Sequence, residues 1–285
     1  MILVTGGTGQ VARALAQAAG ARPLRVVGRP EFDFDRPETL RATLDAVRPA
    51  LVVNAAAYTA VDKAESEPDA AWRANRDGPA ALAEWCADRG ARLIHISTDY
   101  VFDGCKGAPY VEEDATNPTG VYGASKLAGE AAVLTSGAAA LVLRTSWVYS
   151  AFGKNFVLTM LDAARRTNRL RVVADQRGCP TAAADLAAAI LALADRWDGT
   201  ERRVFHAAGS GETTWHGFAV AMFARAARHG RPPPTVAPIA TTDWPTPARR
   251  PADSRLDCGQ LRQRFGLTLP PWEESVARVV DAALA

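Results

Sequence analysis

The first half of the chain alternates short apolar segments with longer amphipathic ones. The short segments have the length and composition of buried strands, and the longer ones place apolar residues at helical spacing. Leu40, Leu44 and Val47 are an example of that spacing. The alternation predicts strands at residues 2–5, 24–27, 51–54, 93–97 and 140–144, and helices at residues 11–19, 37–47, 70–89 and 122–134.

This rhythm of strands and helices indicates right-handed crossovers and a parallel sheet that is covered by helices on both faces. We therefore predict the α/β fold class, with a Rossmann-type doubly wound parallel sheet and a smaller C-terminal substrate-binding domain. Sheets of this kind bind their ligands at the carboxyl ends of the strands.

After about residue 150 the pattern loosens into three short helical segments, residues 155–168, 182–196 and 215–229. Residues 232–234 and 244–251 are rich in proline, which excludes a regular helix there. We predict a nucleotide-binding domain at residues 1–150 and a substrate domain at residues 151–285, with some later segments returning to the first domain.

The composition is that of an ordinary folded protein, with 285 residues, 48% hydrophobic and 22% charged. A formal net charge of +2 does not indicate nucleic-acid binding. No apolar run approaches the roughly 18 residues that a membrane span needs. The chain begins Met1-Ile2-Leu3 without a basic lead, so we expect no secretory signal.

The four cysteines and four histidines are dispersed, without a CxxC pair or an HxxxH spacing. So few scattered thiols are typical of a cytoplasmic protein with reduced cysteines. Without a ligand cluster we expect no metal site. Arginines gather between residues 165 and 171, for which a solvated helix face is the simplest interpretation.

A glycine-rich segment, Thr5-Gly6-Gly7-Thr8-Gly9-Gln10-Val11-Ala12, follows the first predicted strand. Gly6 allows a tight turn, and Gly9 lets a diphosphate approach the backbone. The amino end of the next helix supplies free N–H groups and a positive dipole end. A plain glycine turn is the alternative, but the strand–turn–helix context favours dinucleotide binding.

The preference between NADPH and NADH depends on the end of the second strand, about 20 residues further on. Gly28-Arg29 stands there in place of an acid, and Arg29 could accept the 2′-phosphate of NADPH. Asp33 and Asp35 follow closely. We therefore expect NADPH as the cofactor and leave NADH open.

Tyr122 and Lys126 have a YxxxK spacing, which places both side chains on one helix face, one turn apart. A ketone that receives hydride becomes an alkoxide and needs a proton. A free tyrosine has a pKa near ~10, and a neighbouring ammonium lowers it. We predict Tyr122 as the catalytic acid, with Lys126 tuning its pKa and binding the nicotinamide ribose.

The ends of the third and fourth strands support this assignment. The fourth strand ends in Ser97-Thr98-Asp99, where Thr98 could hydrogen-bond the substrate oxygen beside Tyr122. The third strand is followed by Ala55-Ala56-Ala57-Tyr58-Thr59, whose small residues would let a nicotinamide lie close to the backbone.

Seven motifs occur in order along the chain: TGGTGQVA, VVNAAAYTAVDKAESEP, ISTDYVFDG, NPTGVYGASKLAGE, LRTSWVY, DQRGCPT and RRPADSRLD. Together they resemble the dTDP-4-dehydrorhamnose reductases, a family of extended short-chain dehydrogenases/reductases, over nearly the whole chain. The resemblance implies transfer of hydride from NAD(P)H to C4 of dTDP-4-dehydro-β-L-rhamnose, which gives dTDP-L-rhamnose.

The resemblance also implies roles for individual residues. The catalytic hydroxyl, tyrosine and lysine fall on Thr98, Tyr122 and Lys126. The contacts to the sugar fall on Thr98, Asp99 and Trp147. The contacts to the cofactor fall on Gly9, Gln10, Val11, Asp33, Phe34, Ala57, Tyr58 and Thr59.

The chemistry of Trp147 and of two further residues also fits substrate binding. The indole of Trp147 would pack on the apolar side of a 6-deoxysugar, although an ordinary core tryptophan is the alternative. Arg250 and Arg255 could hold the diphosphate through bidentate hydrogen bonds, and structural or exposed arginines are the alternative for both.

The chain departs from the family pattern in two places. Tyr58 stands where histidine is common. Some members use glutamates at a dimer interface bridged by magnesium, whereas the matching positions are Ala14 and Ala184. We therefore expect a monomer or a weak homodimer without a bridging magnesium.

Three alternatives keep the fold and change the function. A 4-ketoreductase for another dTDP-4-keto-6-deoxyhexose would use the same chemistry. A non-catalytic regulatory subunit is disfavoured because Thr98, Tyr122 and Lys126 are intact. An epimerase or dehydratase is disfavoured because no glutamate follows Asp99.

Overall fold

Strands and helices alternate along the chain in the computed structural model, which describes residues 1–285. The strands are β1 (Ile2–Thr5), β2 (Leu24–Val26), β3 (Leu51–Asn54), β4 (Arg92–Thr98), β5 (Ala140–Thr145), β6 (Val148–Tyr149), β7 (Arg169–Val173), β8 (Arg177–Gly178), β9 (Thr181–Ala182), β10 (Arg203–His206), β11 (Thr213–Thr214) and β12 (Thr235–Ile239). The helices are α1 (Gln10–Ala18), α2 (Pro37–Val47), α3 (Val61–Ala64), α4 (Pro68–Trp72), α5 (Gly78–Arg89), α6 (Val121–Thr135), α7 (Phe156–Ala163), α8 (Ala183–Arg196), α9 (Trp215–Ala227), α10 (Gly259–Phe265) and α11 (Trp272–Leu284). A π-helical turn (Arg73–Asp77) joins α4 to α5, and a 3-10 turn (Asp99–Val101) follows β4.

Six parallel strands form the central sheet, in the order β2-β1-β3-β4-β5-β10. Because the strand order reverses between β1 and β3, their crossovers leave in opposite directions. That reversal opens a crevice at the carboxyl ends of the two strands, where doubly wound sheets bind ligands. The predicted α/β class with a doubly wound parallel sheet is therefore confirmed.

Helices cover both faces of the sheet, because alternate residues of each buried strand point to opposite faces. Val4, Val53 and Ile94 pack against α1, α8 and α10 on one face. Leu3, Val52, Leu93 and Val142 pack against α2, α5 and α6 on the other. The central sheet and these helices form the sheet lobe.

A second apolar core lies beside the sheet lobe and holds α7, α9 and α11 against the parallel pair β7 and β12. Tyr149, Phe218 and Trp272 are its large buried side chains. We refer to this unit as the small lobe. No helix of either lobe is long and apolar enough to cross a membrane.

The predicted strands and helices of the first half agree with the structure to within about two residues. The second half differs more. The helix predicted at residues 155–168 ends at Ala163. Beyond it, the Thr167 hydroxyl accepts a hydrogen bond from the amide of Arg169 (3.2 Å), the first residue of β7. The strands of the second half, α10 and α11 were not predicted.

Segments from the second half also complete the sheet lobe. β10 pairs with β5 at the edge of the sheet, while α8 and α10 cover one face. The lobes therefore do not follow a single cut along the chain. The division at residue 150 stays a prediction for the domains as folding units.

A buried ion pair fixes α6 to the sheet. Arg144 of β5 donates to both carboxylate oxygens of Glu130 on α6, from Nε at 2.9 and 3.2 Å and from Nη2 at 2.7 Å. Glu130 also accepts a hydrogen bond from Ser97 of β4. Both partners are almost fully buried. Removal of one partner would leave the other charge without compensation in a medium of low dielectric constant.

We therefore expect Arg144→Met to lower the free energy of unfolding by about 3–5 kcal/mol, measured by urea denaturation. Arg41→Met is the control, because Arg41 and its partner Asp45 are largely exposed and such pairs contribute about 0–1 kcal/mol. A similar loss in both variants would contradict an anchoring role for the buried pair.

Candidate active site

The glycine-rich segment after β1 forms a cradle at the amino end of α1. Gly6 has a φ of +102°, and a Cβ there would lie 2.8 Å from the Ala55 carbonyl oxygen. Gly9 precedes α1 with no side-chain cap, so the first amides of the helix point outward unpaired by any side chain. The cradle therefore fits a diphosphate, which would accept those N–H groups at the positive end of the helix dipole.

A close contact between Gly7 and Gly28 stabilises the cradle. Gly7 N–H donates to the Val27 carbonyl (2.9 Å), and a Cβ on Gly28 would lie 2.6 Å from the Gly7 Cα. No larger residue fits at position 28. We assigned no role to either glycine from the sequence, although Gly28 at the end of a strand was the available signal.

Gln10 connects the cradle to the loop between β6 and α7. Its Oε1 accepts hydrogen bonds from Ser150 Oγ (2.7 Å) and Asn155 Nδ2 (3.1 Å). Nearby, the Arg13 guanidinium lies 4.1 Å from the centre of the Phe152 ring. The predicted cofactor contacts Gln10 and Val11 thus begin α1 next to this loop, which the sequence did not associate with the cofactor.

Arg29 lies at the end of β2 among carboxylates. Its Nε donates to Asp33 (2.8 Å) and its Nη2 to Asp35 (2.7 Å), and its side chain is 66% exposed. Arg73 also donates to Asp35 (2.9 Å). Arg29 is therefore exposed but already paired, so a 2′-phosphate would compete with Asp33 and Asp35 for its guanidinium. The ring of Phe34 packs in the space that Gly78 leaves free.

Asn75 holds the predicted nicotinamide loop in place. It lies fully buried in the π-helical turn, where its Oδ1 accepts from the Tyr58 amide (2.8 Å) and its Nδ2 donates to the Tyr58 carbonyl (3.1 Å). The same Nδ2 donates to Ser125 Oγ on α6 (3.0 Å). One side chain therefore connects the loop containing Ala57, Tyr58 and Thr59 to the helix that carries the predicted catalytic pair.

The predicted catalytic residues come together where α6 begins. The backbone of Gly123 approaches the Tyr100 carbonyl so closely that a Cβ would lie 2.2 Å from its oxygen. This contact brings Tyr122 beside the 3-10 turn that follows Thr98. The rings of Tyr100 and Tyr122 meet edge to face, with centres 5.6 Å apart.

Burial raises the pKa of Tyr122 above its ordinary value, and the Thr98 hydroxyl acts in the opposite direction. The lowering of this pKa by Lys126 stays a prediction. Lys126 Nζ donates to the Ile96 carbonyl (2.6 Å) and lies 3.4 Å from Nε2 of His95. The phenol is therefore protonated at neutral pH, which is the form that a proton donor requires.

Thr98 and Asp99 form a polar pair at the carboxyl end of β4. Thr98 Oγ1 donates to Asp99 Oδ1 (3.0 Å) and accepts from the Tyr100 amide (3.2 Å). Asp99 Oδ2 has no hydrogen-bond partner, although the side chain is buried. Burial raises the pKa of Asp99 to about 6. The hydroxyls of Ser254, Thr98 and Ser146 oppose that rise, so the carboxyl lies among protein hydroxyls. Its Oδ2 is still free to accept a hydrogen bond from a hydroxyl group of a ligand.

Trp147 has a φ of +48°, in the left-handed region that a bulky residue rarely adopts. Its ring is stacked on Trp215, with centres 3.5 Å apart and planes 5° apart. Its edge lies over Gly178, where a Cβ would be 2.4 Å from the indole. Trp215 thus covers one face of the Trp147 ring, and a sugar could pack only on the part of the ring that Trp215 leaves uncovered. Trp215 was not predicted as a site residue.

The two predicted diphosphate arginines differ in their environments. Arg250 donates from Nη2 to Asp62 (2.8 Å), while its buried Nη1 has no partner. Arg255 is held by Asp253, by Glu212 and by the Gly107 carbonyl. The contacts of Arg255 therefore support a structural role, and the prediction that it binds diphosphate is not supported by this geometry.

The site contains no cluster of metal ligands. No three His, Cys, Asp or Glu side chains converge to hold a metal ion. Ala14 is buried between helices and Ala184 is exposed.

Comparisons with known proteins identify relatives of this chain over its full length. The family model described as RmlD substrate binding domain matches residues 1–285. A dTDP-4-dehydrorhamnose reductase of Sinorhizobium fredii is 48% identical over 288 residues, covering 99% of this chain and 97% of the relative.

Two solved structures share the fold over almost their full length. A dTDP-4-dehydrorhamnose reductase of Clostridium acetobutylicum is 35% identical with a TM-score of 0.91, and the match covers 98% of both chains. The same kind of reductase from Bacillus anthracis, solved in complex with NADP, is 32% identical with a TM-score of 0.92 and covers 98% of this chain and 97% of its own.

We expect Asn75→Ala to weaken NADPH binding by roughly tenfold, or about 1.4 kcal/mol, because loss of its hydrogen bonds frees the loop at Tyr58. Fluorescence titration of NADPH measures the effect. Arg76→Ala is the control, since the neighbouring Arg76 is about half exposed. A folded Asn75→Ala variant that binds NADPH as tightly as the wild type would show that the loop does not depend on Asn75.

Proposed function

The chain belongs to the RmlD substrate binding domain family of dTDP-4-dehydrorhamnose reductases, and we propose that it reduces the C4 ketone of dTDP-4-dehydro-β-L-rhamnose to dTDP-L-rhamnose. The observation that carries the proposal is the contact of Tyr122 with Thr98 at the carboxyl end of β4, with Lys126 one turn further along α6. The link from α6 through Asn75 to the predicted nicotinamide loop supports a proton donor at this point.

The bound cofactor supplies hydride to C4 of the sugar. Tyr122 donates its phenolic proton to the oxygen on C4, so that ketone, hydride and proton together give the alcohol. Thr98 turns its hydroxyl from Asp99 to the same oxygen and stabilises the charge that develops there. Lys126 then returns a proton toward the tyrosinate.

NADPH is the cofactor that we propose, with NADH as a usable alternative. The cradle at the amino end of α1 binds the diphosphate, and Arg29 meets the 2′-phosphate through its exposed guanidinium. With NADH in place of NADPH, the Asp33 carboxylate would accept a hydrogen bond from a ribose hydroxyl. The relative from Bacillus anthracis was solved with NADP, which supports the first choice.

The substrate is a dTDP-linked 4-keto-6-deoxysugar. Asp99 accepts a hydrogen bond from a sugar hydroxyl through its unpaired Oδ2, and the open part of the Trp147 ring packs on the deoxy side of the sugar. Arg250 binds the diphosphate through its free Nη1, which is charged and desolvated. Arg255 has a structural role in this proposal, through its hydrogen bonds to Asp253, Glu212 and the Gly107 carbonyl.

The proposal extends to the location and the oligomeric state of the protein. We propose a cytoplasmic enzyme that is a monomer or weak homodimer without a bridging magnesium. Ala14 and Ala184 support the last point, because neither side chain can ligate a metal. No nucleic acid or membrane partner is expected.

We expect Tyr122→Phe to lower kcat by at least roughly 100-fold while the NADPH affinity stays near that of the wild type, because only the proton donor is lost. NADPH oxidation with dTDP-4-dehydrorhamnose measures both. Tyr149→Phe is the matched control, since Tyr149 lies in the core of the small lobe. If the wild type and Tyr122→Phe are equally inactive with this and other dTDP-4-keto-6-deoxyhexoses, the enzyme assignment fails.

We expect Arg250→Met to raise KM for the sugar nucleotide by roughly 10–100-fold, since a hydrogen bond to a charged group contributes about 1.5–3 kcal/mol. KM for NADPH should not change. Arg249→Met is the control, because Arg249 is exposed beside it. Equal KM values for the two variants would remove Arg250 from the diphosphate site.

A further inference from the structure

A row of buried polar side chains crosses the sheet below the site. Thr5, Asn54 and His95 are register partners on β1, β3 and β4, and none is more than 1% exposed. The residues two positions earlier on these strands belong to the apolar core: Leu3, Val52 and Leu93. Burial of three polar groups in such a layer is costly unless each is hydrogen-bonded.

The hydrogen bonds of this row have a defined direction. The Ala56 amide, which can only donate, points at Asn54 Oδ1 (3.3 Å) and at Thr5 Oγ1 (3.2 Å). Thr5 Oγ1 donates to Asn54 Oδ1 (2.6 Å). Asn54 Oδ1 is therefore the acceptor, and its Nδ2 donates to Nδ1 of His95 at 2.9 Å.

The ring proton of His95 consequently lies on the other nitrogen. Nδ1 accepts from Asn54, so a neutral ring carries its proton on Nε2. Burial lowers the pKa of His95 well below its ordinary value, and the charge of Lys126 lowers it further. The ring is therefore neutral. Nε2 faces Lys126 Nζ at 3.4 Å.

We propose that His95 is a positioning residue for Lys126: its Nε2–H, oriented by Asn54, faces the lysine nitrogen and favours the neutral amine over the ammonium. An amine has a lone pair that can accept this N–H, whereas an ammonium has none. The Ile96 carbonyl accepts one of the lysine N–H groups in either state.

The other influences on the pKa of Lys126 act in opposite directions. Burial lowers the pKa of Lys126 to about 8, and Glu130, one turn further along α6, opposes that change. Glu130 is itself paired with Arg144 of β5. Tyr122 lies one turn earlier and is protonated. His95 of β4 is thus the neighbour that presents a donor to the lysine.

The consequence for catalysis rests on the proposed reductase function. After Tyr122 has given its proton to the sugar oxygen, the Lys126 ammonium must release a proton toward the tyrosinate. Stabilisation of the resulting amine by His95 Nε2–H makes that release easier. The ammonium is present below the pKa of Lys126 and lost above it, so His95 also sets the pH above which kcat falls.

The tautomer is tested first in the wild-type protein. With only four histidines, labelling with ¹⁵N-histidine resolves the ring nitrogens by NMR. The proposal predicts that His95 shows an unprotonated Nδ1 and a protonated Nε2 at neutral pH. The reverse assignment, with the proton on Nδ1, would overturn it.

The lysine is tested by variants. The chain has four lysines, at positions 63, 106, 126 and 154, so ¹³C-lysine labelling with Lys126→Met for assignment gives the pKa of Lys126. In His95→Gln the carboxamide can turn its oxygen toward the ammonium. We expect that pKa to rise by roughly one unit, with the alkaline limb of the kcat profile moving up by a similar amount.

Val142→Ala is the matched control, because Val142 is the register partner of His95 on β5 and is fully buried. It loosens the same layer without changing a polar group and should leave the Lys126 pKa in place. A folded His95→Gln variant whose Lys126 pKa stays at the wild-type value, or falls, would overturn the proposal. Because both NMR measurements use protein without substrate, a failed reductase assignment leaves their result intact.

Discussion

The contact between Gly129 and Asn75 is the constraint on which the site depends. A Cβ at position 129 would lie 2.0 Å from the Asn75 carbonyl oxygen, so α6 can lie directly on the π-helical turn only with glycine there. The adjacent residue, Glu130, then reaches Arg144 and anchors α6 to the sheet. One helix position thereby sets how α6, which carries Tyr122, lies against Asn75 and the loop at Tyr58.

The first half of the fold could be predicted because its physical signals are local. Strands such as 51–54 are short apolar runs between loops. The glycine pattern at Gly6 and Gly9 lies between a strand and a helix, which is the context typical of dinucleotide binding. The spacing of Tyr122 and Lys126 places both on one helix face whatever the rest of the chain does. These features needed no long-range contact.

The features that were missed all depend on such contacts. A π-helical turn has no marked sequence signature, so Asn75 looked like an ordinary helix residue. Trp215 matters only because the left-handed backbone at Trp147 brings the two rings together. β10 is four residues long and finds its place through pairing with β5. The direction of the Lys126 side chain was also missed, because its contacts with the Ile96 carbonyl and with Nε2 of His95 arise only when α6 packs on β4.

Burial accounts for the chemistry of the site as well as its shape. It keeps Tyr122 protonated, raises the pKa of Asp99 to about 6 and lowers that of Lys126 to about 8. Burial thus moves the pKa values of Asp99 and Lys126 closer to neutral pH than they would be in water, and it moves that of Tyr122 further above neutral pH. The same low dielectric constant strengthens the hydrogen bonds of the buried polar row through Asn54 and His95.

The central claim is that hydride and proton are both delivered to C4 and its oxygen in a dTDP-linked keto sugar. Its most direct test is NMR analysis of the sugar formed from dTDP-4-dehydrorhamnose with NADPH deuterated at the transferable position. The account predicts a single deuterium at C4 of dTDP-L-rhamnose. Deuterium at another carbon, no deuterium in the product, or the C4 epimer would contradict it.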